Sequence, residues 1–366
     1  MAGQFRCALP RALLCIFAAL VAGCGEGGGS FGQLPASPES RLVITPANAP
    51  ALAADALARA TDVRLPLAVS HLVLHVASGA VTWTVAMPGV RNPDAASGAA
   101  SAAGAGATHE TIHCAGGGSL AVDKDSAGSA APHPLAWGDT LTLTATDCRE
   151  TLEGVETRMS GRIDVRVTEG WAWSAPEWNP RIAFSTVLRE FTLVENGGST
   201  VTANGDMAIR FSEDFGHKPC SDCSSIVPAT QVQVTGAALA ATVLQGADIL
   251  SWRLRDYHQQ VQVIPGAITA PTTSHALDAD VDTGNPQLGT GLVAYEMSAP
   301  QPYAHHDTGN LVAGLMNIHG NASSLAMSVP GWNVVSLGVD TQGDGVTDTT
   351  IATTPAELKN LAPTPK

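Results

Sequence analysis

The chain of 366 residues predicts an all-β fold, mainly antiparallel: a long-strand meander, a sandwich or a curved open sheet, with one short helix near the N-terminus. Three observations lead there. Apolar residues alternate with Thr, Ser, Gln or charge in many short runs, the period-two signature of half-solvated strands. At 45% hydrophobic and 14% charged, the chain is too apolar for disorder and too poor in Glu, Lys and Arg for a long-helix protein. Thirty-seven glycines and 23 prolines supply the punctuation between strands.

Taken in order, residues 50–62 (PALAADALARATD) carry proline at a first-turn position and then alanine-rich helical propensity, which predicts the helix. Strands follow. Val81, Trp83, Val85 and Met87 alternate with Thr82, Thr84 and Ala86, and Leu141, Leu143 and Ala145 with four threonines. Ile163, Val165 and Val167 alternate with Arg162, Asp164 and Arg166, and Met207, Ile209 and Phe211 with Ala208 and Arg210. Further runs lie at 231–235, 260–263, 325–329 and 335–339. One polar face per strand means antiparallel pairing and speaks against a parallel nucleotide-binding sheet. Gly161, Gly205, Gly236 and Gly320 stand where several strands are expected to open, as turn or bulge positions. Residues 92–106 are low-complexity and predict a mobile loop.

The first residues read differently. Arg6 and Arg11 precede the apolar run Ala12 to Ala22, which is too short for a bilayer span and fits the core of a signal peptide. The run ends in Leu20-Val21-Ala22-Gly23-Cys24, which resembles the bacterial lipobox. That resemblance implies a signal peptide over 1–23, palmitate-type lipidation of Cys24 and a lipoprotein on the membrane; Gly25 in place of aspartate points to the outer membrane. Residues 24–41, rich in Gly, Ser and Pro, form a tether, and 42–366 the β-rich body, with a division into two sheets or subdomains near 215–228 as an option. Without the two leader arginines the chain carries 17 basic and 33 acidic residues, a net charge of −16, so nucleic acid is excluded as a partner. Partners are then the membrane, through the lipid, and an apolar or lipid ligand.

Of seven cysteines, Cys114, Cys148, Cys220 and Cys223 remain for the body of an envelope protein. Two disulfides are expected, with Cys114–Cys148 and Cys220–Cys223 the favoured pairing of three. The run Cys114-Ala-Gly-Gly-Gly-Ser119, the segment Gly138 to Cys148 and the closing Val339 to Asp348 together resemble uncharacterised β-rich bacterial lipoproteins, a likeness that implies a fold and no activity.

Two motifs offer metal chemistry. His109-Glu110-Thr111-Ile112-His113 is an H-E-x-x-H string, similar to zincin metalloproteases, in which both imidazoles hold zinc from one helix face and the glutamate activates water. Gly104 and Gly106 before it and Gly116 to Gly118 after it oppose a helix, and a strand would hold the imidazoles about 13 Å apart. Asp340, Asp344 and Asp348 with Gly345 resemble the start of a calcium loop, although Gln342 and Ile351 replace acidic ligands. Calcium is the one cofactor offered. Trp171, Trp173 and Trp178 could stack on a ligand, and Tyr303-Ala-His305-His306-Asp307 could meet a metal. The sequence thus predicts a structural or ligand-binding envelope lipoprotein, with a zinc metalloprotease as the alternative.

Overall fold

The computed structural model describes residues 37–38, 40–77, 107–126, 135–152, 155–170, 181–195, 198–214, 229–246, 248–264, 272–306 and 311–362. Among these residues fourteen strands form one open sheet in strict sequence order, every neighbour antiparallel. They are β1 (Ala107–His113), β2 (Ser119–Asp125), β3 (Thr140–Leu152), β4 (Val155–Glu169), β5 (Arg181–Glu195), β6 (Ser199–Asp214) and β7 (Ala229–Gln245). There follow β8 (Asp248–Ile264), β9 (Thr272–Thr283), β10 (Val293–His306), β11 (Leu311–His319), β12 (Ser324–Gly331), β13 (Val334–Asp340) and β14 (Thr349–Thr353). The sheet runs on through the 215–228 position, because β6 and β7 pair directly with each other. Strict sequence order with antiparallel neighbours makes this the expected long-strand meander, laid out as one open sheet and not as a sandwich.

The helix expected over 50–62 is α1, Ala49–Thr61, and two more occur: α2, Arg64–Ala77, and α3, Pro355–Leu361. In α2 the buried positions Leu65, Ala68, Val69, Leu72 and Val73 follow helical spacing, and the helix meets β6. Thr354 and Glu357 close a capping box at the start of α3. Helix α1 is different. Its residues Ala49, Leu52, Ala53, Ala56 and Ala60 have no exposed surface, so nearly every side of it is covered, by β9, β12, β13 and α3. Only a helix of small residues fits so closely inside a sheet.

Curvature has a visible cause. The pairing registers slip near the middle of several long strands, between Ala145 and Cys148, Ser160 and Arg162, Leu188 and Phe191, Gly205 and Ala208, and Arg255 and His258. Asp147, Glu190 and Asp256 adopt positive φ at these points, as do Gly161 and Gly205. Bulges at neighbouring positions from β3 to β9 bend the strands that carry them and increase their local twist. Gly161 and Gly205 thus lie within β4 and β6 and do not open them; Gly236 likewise lies inside β7. A Cβ on Gly161 would come 2.3 Å from the Glu190 carbonyl oxygen, at φ +110. Gly161→Ala is accordingly expected to cost about 1–3 kcal/mol in urea unfolding.

The chain also docks slightly earlier than residue 42. Ser37 Oγ donates to Asp282 at 2.7 Å, and Arg41 pairs with Asp280 at 3.0 Å and Glu296 at 2.6 Å. Residues 1–23, Cys24, the run 81–87 and residues 92–106 lie outside the described residues.

Candidate functional site

The H-E-x-x-H string is strand β1, an edge strand that among the described residues pairs only with β2. His109 and His113 therefore sit four strand positions apart, about 13 Å, and are not brought to a common metal position. His109 Nδ1 instead lies 2.6 Å from Asp123 Oδ1 on β2, and Glu110 is exposed. Glu150, the glutamate closest downstream, accepts from the Ala115 backbone N–H at 3.1 Å. The helical geometry on which the metalloprotease alternative depends is absent. Charged and imidazole side chains on an edge strand do have a physical role, since they oppose pairing with a foreign strand.

The disulfide Cys114–Cys148 is present, with Cα atoms 5.4 Å apart, and ties the β1–β2 turn to β3. It closes a loop of sequence separation 34. Reduction, or Cys148→Ala, is expected to cost roughly 2–4 kcal/mol in urea unfolding compared with the oxidised protein. Cys220 and Cys223 fall outside the described residues, as do Trp171, Trp173, Trp178 and Asp307.

In the 340–348 turn the carboxylates serve the backbone. Asp340 Oδ1 accepts from the Gln342 and Gly343 N–H groups at 3.0 and 2.6 Å, and its Oδ2 from Gly345 at 2.8 Å. Burial pushes this carboxyl up, but the N–H groups of Gly345, Gly343, Gln342 and Asp344 outweigh it and hold the group below the ordinary value. Asp344 caps Val346, and Asp348 accepts from Thr341 N–H and Oγ1. Asp340, Asp344 and Asp348 do not converge: among the described residues the one trio of ligand atoms within 4.8 Å is Cys114, Cys148 and Glu150, and its sulfurs are already bonded to each other.

Three features escape sequence patterns. The first is a polar cluster at α1. Asp55, fully buried, accepts from Tyr295 Oη at 2.8 Å and from Thr283 Oγ1 at 3.3 Å. Burial pushes its carboxyl above the ordinary value, against the opposing pull of Arg59 one turn away and of these hydroxyls. Arg59 lies 5.2 Å over the Trp252 ring, and Gln259 Nε2 donates to the Ala60 and Asp62 carbonyls at the end of α1. These contacts fix α1 to β8, β9 and β10. The cavity beside Arg59, Trp252, Tyr257 and Gln259 measures about 20 Å³, room for about one water.

The second is an open groove of about 570 Å³ across β1 to β5, lined by His109, Asp123, Thr142, Asp164, Arg166 and Val187 among others. Asp164 in its floor is held by Arg162 and Arg189 at 2.8 and 3.0 Å. The third is a histidine pair. His275 on β9 and His305 on β10 place their Nε2 atoms 2.9 Å apart, with ring planes within 10° of each other. Burial, and then the neighbouring His305, lower the His275 value to about 4. The sequence offers His305 for a metal, beside His306 and Asp307, but His275 lies thirty residues away and no local spacing joins it to His305.

No family model, curated protein or solved structure matches this chain. No helix among the described residues is long and apolar enough to cross a membrane, which leaves strands unaddressed.

Proposed function

We propose that this chain is a lipid-anchored structural protein of the bacterial cell envelope, carried on the outer membrane through Cys24. Its body is a filled β-scaffold, not an acyl-chain carrier. The observation that carries this reading is α1, whose small side chains are buried against β9, β12, β13 and α3. A carrier needs an apolar hollow of several hundred Å³. Here the apolar side chains of the strands are buried, the space beside the buried Arg59 and Trp252 admits about one water, and the larger groove across β1 to β5 is open and bordered by charged side chains.

Polar function then belongs to the outer face, where Thr, Arg, Asp and Gln stand on strands such as β3, β4 and β7. The groove across β1 to β5 favours a polar ligand as a second reading, since Thr142, Asp164 and Arg166 offer both donors and acceptors there. The experiment is metabolic labelling with radioactive palmitate. Labelled protein in the wild type, absent in Cys24→Ser, is the expected result; label that persists in Cys24→Ser would remove the anchor from the account.

A further inference from the structure

The pair His275–His305 has a geometry suited to more than core packing. His275 is 4% exposed on the inner face of β9, diagonal to His305 on β10, next to Tyr303, which stands directly opposite His275 in the register. The Nε2 atoms face each other at 2.9 Å. Two neutral imidazoles can share that distance when one carries its proton on Nε2 and donates to the bare Nε2 of the other. His275 Nδ1 is then buried, an acceptor if His275 is the donor and an N–H if His305 is, and among the described residues it has no hydrogen-bond partner. Orphaned polar atoms of this kind are uncommon in folded interiors and mark positions where strain or function is stored.

A metal can replace the shared proton. With metal–nitrogen bonds of about 2.0–2.1 Å, two nitrogens 2.9 Å apart subtend about 90° at the ion, whereas a tetrahedral ion needs them about 3.3 Å apart. A right angle between imidazoles is the cis angle of tetragonal Cu(II) or Ni(II), and both ions favour imidazole nitrogen.

We propose that His275 and His305 form a two-imidazole site for a tetragonal divalent ion, Cu(II) in first place, with water in the remaining positions. Binding leaves the charge of both rings unchanged. The proton on the shared Nε2 moves to the other nitrogen of the same ring, and both Nε2 lone pairs then point to the ion. If His275 is the donor, its unpartnered Nδ1 receives that proton. Nothing in this site draws on the H-E-x-x-H string, which lies on β1 at an edge of the sheet.

The test is titration of the full chain, purified through a tag free of histidine, with Cu(II) and with Zn(II) at neutral pH. One equivalent of Cu(II) should bind more tightly than Zn(II), with nitrogen hyperfine structure in its electron paramagnetic resonance spectrum. His305→Ala, at a half-buried position, should weaken Cu(II) binding at least about tenfold while the far-ultraviolet dichroism is retained. His275→Gln should do the same, and His109→Ala should leave the affinity unchanged. Cu(II) uptake that is unaltered in folded His305→Ala, or no uptake by the wild type at micromolar Cu(II), overturns the proposal. Should His275→Gln fail to fold, His305→Ala and the nitrogen signal decide the matter alone.

Discussion

Leu52→Ala is expected to lower the unfolding free energy by about 2–5 kcal/mol, because Leu52 is a fully buried side chain of the helix that fills the sheet. Its loss leaves a void between elements that are far apart in sequence and cannot easily collapse together. Its helix neighbours Ala49, Ala51, Ala53 and Ala56 are too small to swing in, and Asp55 is held by Tyr295 and Thr283. A surface control sharpens the reading. Val187, 41% exposed on β5, should tolerate threonine within about 0.5 kcal/mol. Urea unfolding of both variants checks this. A cost below about 1 kcal/mol for Leu52→Ala would mean that α1 contributes little to holding the sheet in its curve.

Acid should weaken the protein through His275. Its folded-state value of about 4, against an ordinary 6.5, means that the unfolded chain takes up a proton that the folded chain refuses. Stability from this residue is complete above pH 6.5 and falls progressively as the pH drops toward 4, by about 3 kcal/mol in total. Asp55 works in the opposite sense, since a carboxyl with a raised value favours the folded state at low pH. Asp164 and Asp340, held below the ordinary carboxylate range, add their losses mainly below pH 4. The difference between wild type and His275→Gln therefore isolates the histidine. The variant should show a flatter decline in unfolding free energy between pH 7 and 4; an identical slope would assign the acid sensitivity elsewhere.

How far the sequence foretells these features depends on parity. Leu141, Leu143 and Ala145 announce β3 because their alternation is unbroken, and the same holds for Ile163, Val165 and Val167 in β4. In β5 the buried set runs Ile182, Phe184, Thr186 and Leu188, then continues at Phe191 and Leu193. The bulge at Glu190 shifts it by one residue, so a strict alternation count breaks in mid-strand. In β8 the shift falls at Asp256, between Leu254 and Tyr257. The glycines were readable as bulges, but their place inside strands, not at strand starts, depends on pairing that only the folded sheet supplies. Helix α2 was hidden because Pro66 and the Val, Ser and His residues among its leucines weaken helical preference without the face of β6 beneath it.

The candidate sites divide along the same line. Cys114 and Cys148 flank what reads as one hairpin unit, and the fold closes that bridge. The H-E-x-x-H string carries the right residues but lies in extended backbone, where four positions span more than twice the distance a single ion can bridge. Asp55, Tyr295 and Thr283 meet only because α1 is enclosed by the sheet, and His275 meets His305 only through the β9–β10 register. Contacts of this range have no period and no motif.

The filled interior is the claim on which the scaffold reading rests, and one measurement addresses it directly. The full chain is titrated with a fluorescent long-chain fatty acid, and its organic extract is analysed by mass spectrometry for lipids that are not covalently attached. The filled-sheet account predicts no saturable fluorescence change and no stoichiometric free lipid. One equivalent of bound acyl chain, displaced by unlabelled fatty acid, would contradict it and return the protein to the class of lipid carriers.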